Sequence, residues 1–235
     1  MKKIKYIITL FFILSSVIIQ AAEISISVRG GYSPDVGGSM SSGWQADNLD
    51  VYDGINNINR SDGASAVSSV EDPLGVIAGA DLRIISNSIY YRAGIEYVYV
   101  LSGGTGKTLN PAGTEVVKVE YSQWSFDVPL TIGVALLFWG ESRIYFGIGA
   151  AFAYGTYSSS FKSATLDHSA SFTAYGIPLV AEFGCEYMVN ERVSFGCDVK
   201  YLYGRSPVVN DGTDYARVDF SGIHITASAA LHFNI

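Results

Sequence analysis

The sequence predicts an all-β chain: an eight-stranded antiparallel up-and-down barrel that crosses a membrane. Three observations carry this expectation. Eight segments alternate apolar and non-apolar residues with a period of two, the mark of strands with chemically different faces. The connections between them alternate between long polar stretches and tight turns, as in outer-membrane barrels. The minority face of each strand is Gly, Ala and a few charges, which suits a narrow barrel interior better than the Lys, Glu and Thr of a solvated sheet.

The first strand begins at Glu23, with Ile24, Ile26, Val28 and Tyr32 opposed to Ser25, Ser27 and Arg29. The second sets Leu74, Val76, Ala78, Ala80, Leu82 and Ile84 against Gly75, Gly79, Asp81 and Arg83. In the third, Ile89 to Leu101 oppose Arg92, Gly94 and Glu96, and in the fourth Trp124 to Phe138 oppose Ser125, Asp127, Thr131 and Gly133. The fifth runs from Ile144 to Tyr154 against mostly Gly and Ala. Glu182, Gly184 and Glu186 mark the inner face of the sixth, Gly196, Asp198 and Lys200 that of the seventh, and His224, Thr226 and His232 that of the last. Residues 34–72, 103–114, 158–170 and 205–215 read as long loops, and turns fall at Ser86-Asn87-Ser88, Gly140-Glu141-Ser142 and Asn190-Glu191. An even strand count puts both termini on the tight-turn side, the periplasm, and residues 34–72 outside the cell.

Composition narrows the function classes. Of 235 residues, 16% are charged against about 25% in an average domain. Aromatics reach 13%, which excludes disorder and a coiled coil. A net charge of -7 argues against nucleic acid as partner. Residues 1–22 have the layout of a signal peptide: Lys2, Lys3 and Lys5, an apolar run from Tyr6 to Ile19, then Gln20-Ala21-Ala22. That run is shorter than the roughly 20 residues a spanning helix needs. The expected organisation is a leader over 1–22 and a barrel domain over 23–235, exported through the periplasm of a diderm bacterium.

The segment Tyr121-Ser-Gln-Trp-Ser-Phe-Asp-Val-Pro-Leu-Thr-Ile-Gly133, the Gly-rich Tyr145-Phe-Gly-Ile-Gly149 and the ending Ala227-Ser-Ala-Ala-Leu-His-Phe-Asn-Ile235 carry a resemblance. The chain resembles the small outer-membrane β-barrel superfamily, the group that holds the OmpA transmembrane domain, OmpX and OmpW. The resemblance spans residues 23–235 and implies insertion among outer-membrane lipids by the barrel-assembly machinery, as a monomer. It specifies architecture well and function poorly.

The inward parity collects Arg29, Asp81, Arg83, Arg92, Glu96, Asp127, Glu182, Glu186, Asp198 and Lys200. These six acids and four bases read as a salt-bridged plug in a lumen just wide enough for side chains, since unpaired charges there would be costly. A polar conduit is the other reading. If the sixth and seventh strands join by a short turn, Glu182 falls opposite Lys200, and Cys185 opposite Cys197 on the lipid-facing parity. The two cysteines are then either a disulfide formed in an oxidising compartment or two inert apolar thiols.

Enzyme signatures are missing from the sequence: no His-Glu-x-x-His, Gly-x-Ser-x-Gly or phosphate loop occurs. Asp167-His168-Ser169 reads as loop polarity rather than as a triad, which assembles in space. The spacing of Asp50-Val-Tyr-Asp53-Gly-Ile-Asn56 fails a calcium loop. The expectation is a non-enzymatic protein with no cofactor and no metal, a closed or very narrow polar lumen, and surface loops that recognise an extracellular ligand. A channel for small or apolar solutes is the alternative, and a lipid A-modifying enzyme a distant third.

Overall fold

The computed structural model of the protein describes residues 23–36, 74–102, 105–109, 115–140, 142–163, 167–207, 209–210, 215–216, 218 and 220–234. The leader over 1–22 and nearly all of the loop over 34–72, including the acidic run from Asp50 to Asn56, lie outside them. The strands are β1 (Glu23–Val36), β2 (Leu74–Ser86), β3 (Ile89–Ser102), β4 (Thr105–Leu109), β5 (Glu115–Trp139) and β6 (Ser142–Ser163). They continue as β7 (Asp167–Gly176), β8 (Leu179–Asn190), β9 (Val193–Tyr203), β10 (Val209–Asn210), β11 (Tyr215–Ala216) and β12 (Gly222–Asn234).

Eight of these close a barrel. The antiparallel order is β1-β2-β3-β5-β6-β8-β9-β12, and β12 pairs back onto β1 with Glu23 opposite Asn234. Closure leaves no edge strand in lipid, where an unpaired backbone group would be costly. The alternation seen in the sequence becomes inside and outside: Ser25, Ser27 and Arg29 are buried while Ile26 and Val28 are exposed, and Glu182 and Glu186 are buried while Phe183 and Tyr187 are exposed.

Tight turns close the end where Glu23 and Asn234 lie. Asn87 and Ser88 both have positive φ, 50° and 67°, which matches the right-handed twist of the strands they join. Gly140 supplies the positive φ of the next turn, 59°. The last turn is Glu191-Arg192 rather than Asn190-Glu191, because Asn190 belongs to β8 and its Oδ1 accepts from the backbone N–H of Arg192 and Val193 at 2.8 and 3.0 Å.

At the opposite end the structure corrects the expected loops. Residues 103–114 contain β4 and residues 158–170 are mostly the ends of β6 and β7, so that β4-β5-β6-β7 continues the wall as a sheet beyond the barrel. The reason is chemical. Lipid demands apolar outward residues, and these segments carry Ser and Thr instead, so no hydrophobic period announces them. The expected sixth strand is interrupted at Ile177-Pro178, where Pro178 offers no N–H to the ladder and its carbonyl accepts from Ala151 N at 2.9 Å. Residues 205–215 contain β10 and the start of β11, which pair as a two-stranded hairpin.

The interior has two zones. Near the tight turns it is polar. Towards the far end Ile77, Val98, Val100, Ala153, Tyr157, Phe172 and Ala174 face inward and pack with Val218 and Phe220. The backbone holds the latter two in place: Ser206 N donates to Val218 O at 2.8 Å and Phe220 N to Gly204 O at 2.9 Å.

Candidate functional site in the barrel lumen

All ten charges assigned to the inner face are buried: Arg29, Asp81, Arg83, Arg92, Glu96, Asp127, Glu182, Glu186, Asp198 and Lys200. Strand order explains which of them meet. In an eight-membered ring, strands four places apart are diametrically opposed: β3 with β9, β2 with β8, and β1 with β6. Arg92 on β3 reaches Asp198 on β9 with Nη1 and Nη2 at 3.1 and 3.2 Å. Lys200 on β9 returns across the lumen to Glu96 on β3. Arg83 on β2 pairs with Glu186 on β8 at 3.2 Å, and Arg143 on β6 pairs with Glu23 on β1. Four ion pairs therefore strut the barrel across its diameter.

Around the struts the remaining valences are shared. Arg92 Nη1 also donates to Glu182 Oε2 at 3.1 Å, and its Nε lies 3.3 Å from Asp81 Oδ1. Arg29 pairs with Asp81 and, at 3.2 Å, with Glu96. Glu182 accepts from the Tyr90 hydroxyl at 2.6 Å and from Thr131 at 2.7 Å. His224 Nδ1 stands 3.3 Å from Glu96 Oε2. Nearer the tight turns, Ser194 Oγ donates to Glu186 at 2.5 Å and lies 2.7 Å from His232 Nε2, whose other nitrogen stands 2.7 Å from Glu23 Oε1.

Glu182 does lie opposite Lys200 in the ladder, but the two do not form the pair that register alone predicts. Lys200 is drawn to Glu96 across the lumen, and Arg92, Tyr90 and Thr131 hold Glu182. In a lumen this narrow, long side chains reach the opposite wall, so a partner need not lie on the neighbouring strand.

Asp127 stands apart. It is opposite Glu96 in the β3–β5 ladder, its Oδ2 accepts only a long 3.5 Å bond from Ser125, and its Oδ1 has no hydrogen-bond partner. Among the described residues it is a buried carboxylate with no ion pair of its own, although Lys200 and His224 lie close enough to act on it through space.

Sequence reasoning missed Tyr90, Tyr145, Glu23 and Arg143. Tyr90 shares the parity of Arg92 and is fully buried. Two glycines make room for its ring: a Cβ on Gly133 would stand 2.7 Å from Tyr90 Cε1, and one on Gly147 would overlap its hydroxyl. Bare inward positions next to a large even-parity residue were the available signal. Tyr145 packs edge-on against Tyr90 with centroids 5.5 Å apart and carries the Arg83 guanidinium 4.0 Å above its ring.

The cysteines fall where register placed them: Cys185 pairs with Cys197 across β8–β9, both are exposed on the outer face, and both are free thiols in this structure. His168 lies in β7 opposite Phe161, far along the chain from the buried His224 and His232.

Known structures with similar chain traces include Neisserial surface protein A, at 9% identity, covering 91% of this chain and 97% of that one with a TM-score of 0.45. OprG from Pseudomonas aeruginosa is 14% identical over 89% and 95% of the two chains, TM-score 0.42. A major outer membrane protein from Thermus thermophilus is 10% identical over 91% and 100%, TM-score 0.46. No curated relative matches the chain in sequence. The sequence profile of one family, described as Leptospira porin protein OmpL1, matches residues 45–229, most of the chain, and the chain belongs to that family of outer-membrane β-barrel proteins.

Proposed function

We propose that this outer-membrane barrel is non-enzymatic and non-conducting, and that it acts through the segments it presents at the cell surface. The observation that supports this reading is the set of ion pairs across the lumen. Arg92–Asp198, Lys200–Glu96 and Arg83–Glu186 each join opposed walls, so a solute on the barrel axis meets paired side chains rather than water. Breaking such a pair transiently exposes two desolvated charges, which is costly. The apolar cluster around Phe220 and Val218 lies in series with the plug at the far end. Residues 1–22 act as the export leader, and the long connections face outward.

A second reading has its own support. The family's description is that of a porin, so a small-solute channel is the competing function. Liposome swelling separates them. Vesicles holding the refolded protein should swell in isotonic arabinose no faster than empty vesicles, and swelling at porin-like rates would establish the channel instead.

A further inference from the structure

We propose that the notch between the β8–β9 turn and the end of β12 holds one phospholipid with a zwitterionic ethanolamine headgroup. It rests on the outer-membrane barrel with its tight turns at the inner-leaflet surface, and not on whether the lumen conducts.

Strand lengths make the notch. Arg192, the last residue of the β8–β9 turn, lies level with His232, whose backbone N–H donates to Arg192 O at 2.9 Å, while β12 continues to Asn234. The step between them is a cavity of about 500 Å³ lined by Glu191, Arg192, Leu231, His232 and Phe233. Small-ligand sites run about 300–1,000 Å³. Leu231 and Phe233 are exposed on the lipid-facing parity, and Glu191 and Arg192 are exposed on the turn. One side of the notch therefore meets acyl chains and the other meets headgroups.

The charges select the headgroup. Both ring nitrogens of His232 are engaged, by Ser194 at 2.7 Å and by Glu23 at 2.7 Å, so this residue supplies wall only. Glu191 and Arg192 are the other charged side chains lining the notch, of opposite sign and adjacent in the chain. A guanidinium presents a fork of donors to phosphate oxygens. A carboxylate accepts from the N–H donors of a primary ammonium. Phosphatidylethanolamine carries both groups, joined by an ethylene link. An anionic headgroup would set its net charge against Glu191, and a choline headgroup has no N–H to donate.

The wall above fits an acyl chain. On β12 the outward residues shrink from Leu231 to Ala229 and Ala227 and grow again at Ile225. Ala229 lies between Val28 and Phe195, and Ala227 between Gly30 and Cys197. A Cβ added at Gly30 would meet only the Ile77 carbonyl oxygen, 3.8 Å away, so among the described residues nothing covers this hollow. The lane from Leu231 to Ala227 is about 13 Å long, or about 10 Å deep at a tilt near 40°, against about 15 Å for one leaflet. A chain lying in it gains contacts on both flanks.

Native mass spectrometry of the refolded protein tests this, with phosphatidylethanolamine, phosphatidylglycerol and phosphatidylcholine of identical acyl chains as probes. Wild type should retain phosphatidylethanolamine about fivefold better than either of the others, the gain of one net hydrogen bond. Glu191→Gln/Arg192→Gln should erase that ranking, and Ala229→Phe should reduce phosphatidylethanolamine retention severalfold, with the heat-modifiable mobility of a folded barrel unchanged. Equal retention of the three lipids by wild type overturns the proposal, as does a wild-type pattern that either variant reproduces. Preferred retention of phosphatidylglycerol overturns it in favour of an anionic lipid. The wild-type comparison decides even if a variant fails to fold. It involves no current and no orientation, so its failure leaves the closed-lumen reading standing.

Discussion

Arg92 on β3 and Asp198 on β9 meet across the full diameter of the barrel, with two hydrogen bonds of 3.1 and 3.2 Å between strands that never touch through the ladder. Arg92 also serves Glu182 and Asp81, so a single guanidinium neutralises three walls at once. Arg92→Met should leave these carboxylates short of a cation and cost about 3–5 kcal/mol. Urea-dependent folding into lipid vesicles measures this, and a loss below about 1 kcal/mol would show that the strut is not structural.

Lys200→Met should cost less, about 1–3 kcal/mol, because Glu96 keeps Arg29 and His224. The same folding assay ranks the two variants, with Arg92→Met the more damaging. The reverse order would mean that Glu96 depends on Lys200 alone.

Asp127 leads to the opposite sign. It faces Glu96 across the ladder and makes no ion pair of its own among the described residues, and like charges directly opposed destabilise a sheet. Asp127→Asn should leave stability unchanged or raise it by about 1 kcal/mol, whereas Asp198→Asn should lower it. A comparable loss in both variants would show that Asp127 has a cationic partner in the membrane.

The opposed cysteines test the register itself. Cβ atoms of directly paired residues lie roughly 4.5–5.5 Å apart, close enough for oxidation to join Cys185 and Cys197 after small adjustment. Treating the folded protein with a thiol oxidant should remove both free thiols without forming dimers. Persistence of two reactive thiols per chain would contradict the pairing, because a slip of one residue sends the side chains to opposite faces.

What the sequence made legible was governed by lipid. Where hydrocarbon forces every second residue to be apolar, as from Phe126 to Leu136 or Leu179 to Tyr187, the period shows strand, face and register together. Outside the hydrocarbon that constraint lapses, and the Ser-rich stretch from Ser158 to Ser163 reads as a loop although it is a paired strand. The charged inner face was legible for the same reason as the strands. Its wiring was not, because Lys200 chooses Glu96 over its ladder partner Glu182 by proximity across the lumen, a relation no local pattern encodes. The apolar cap escaped notice too, since Val218 and Phe220 sit in a connection with no period of two and are held inward by bonds to the Ser206 backbone and hydroxyl and to the Gly204 carbonyl.

Single-channel recording in planar bilayers is the most direct test of the proposed closed lumen. Refolded wild-type protein should insert without conductance steps at moderate voltage, and Arg92→Ala/Lys200→Ala, which removes both cations that join β3 to β9, should produce small steps in the fraction that still folds. Steady open-channel steps from wild type, of the same size as those of the double variant, would contradict the account and establish a conducting porin.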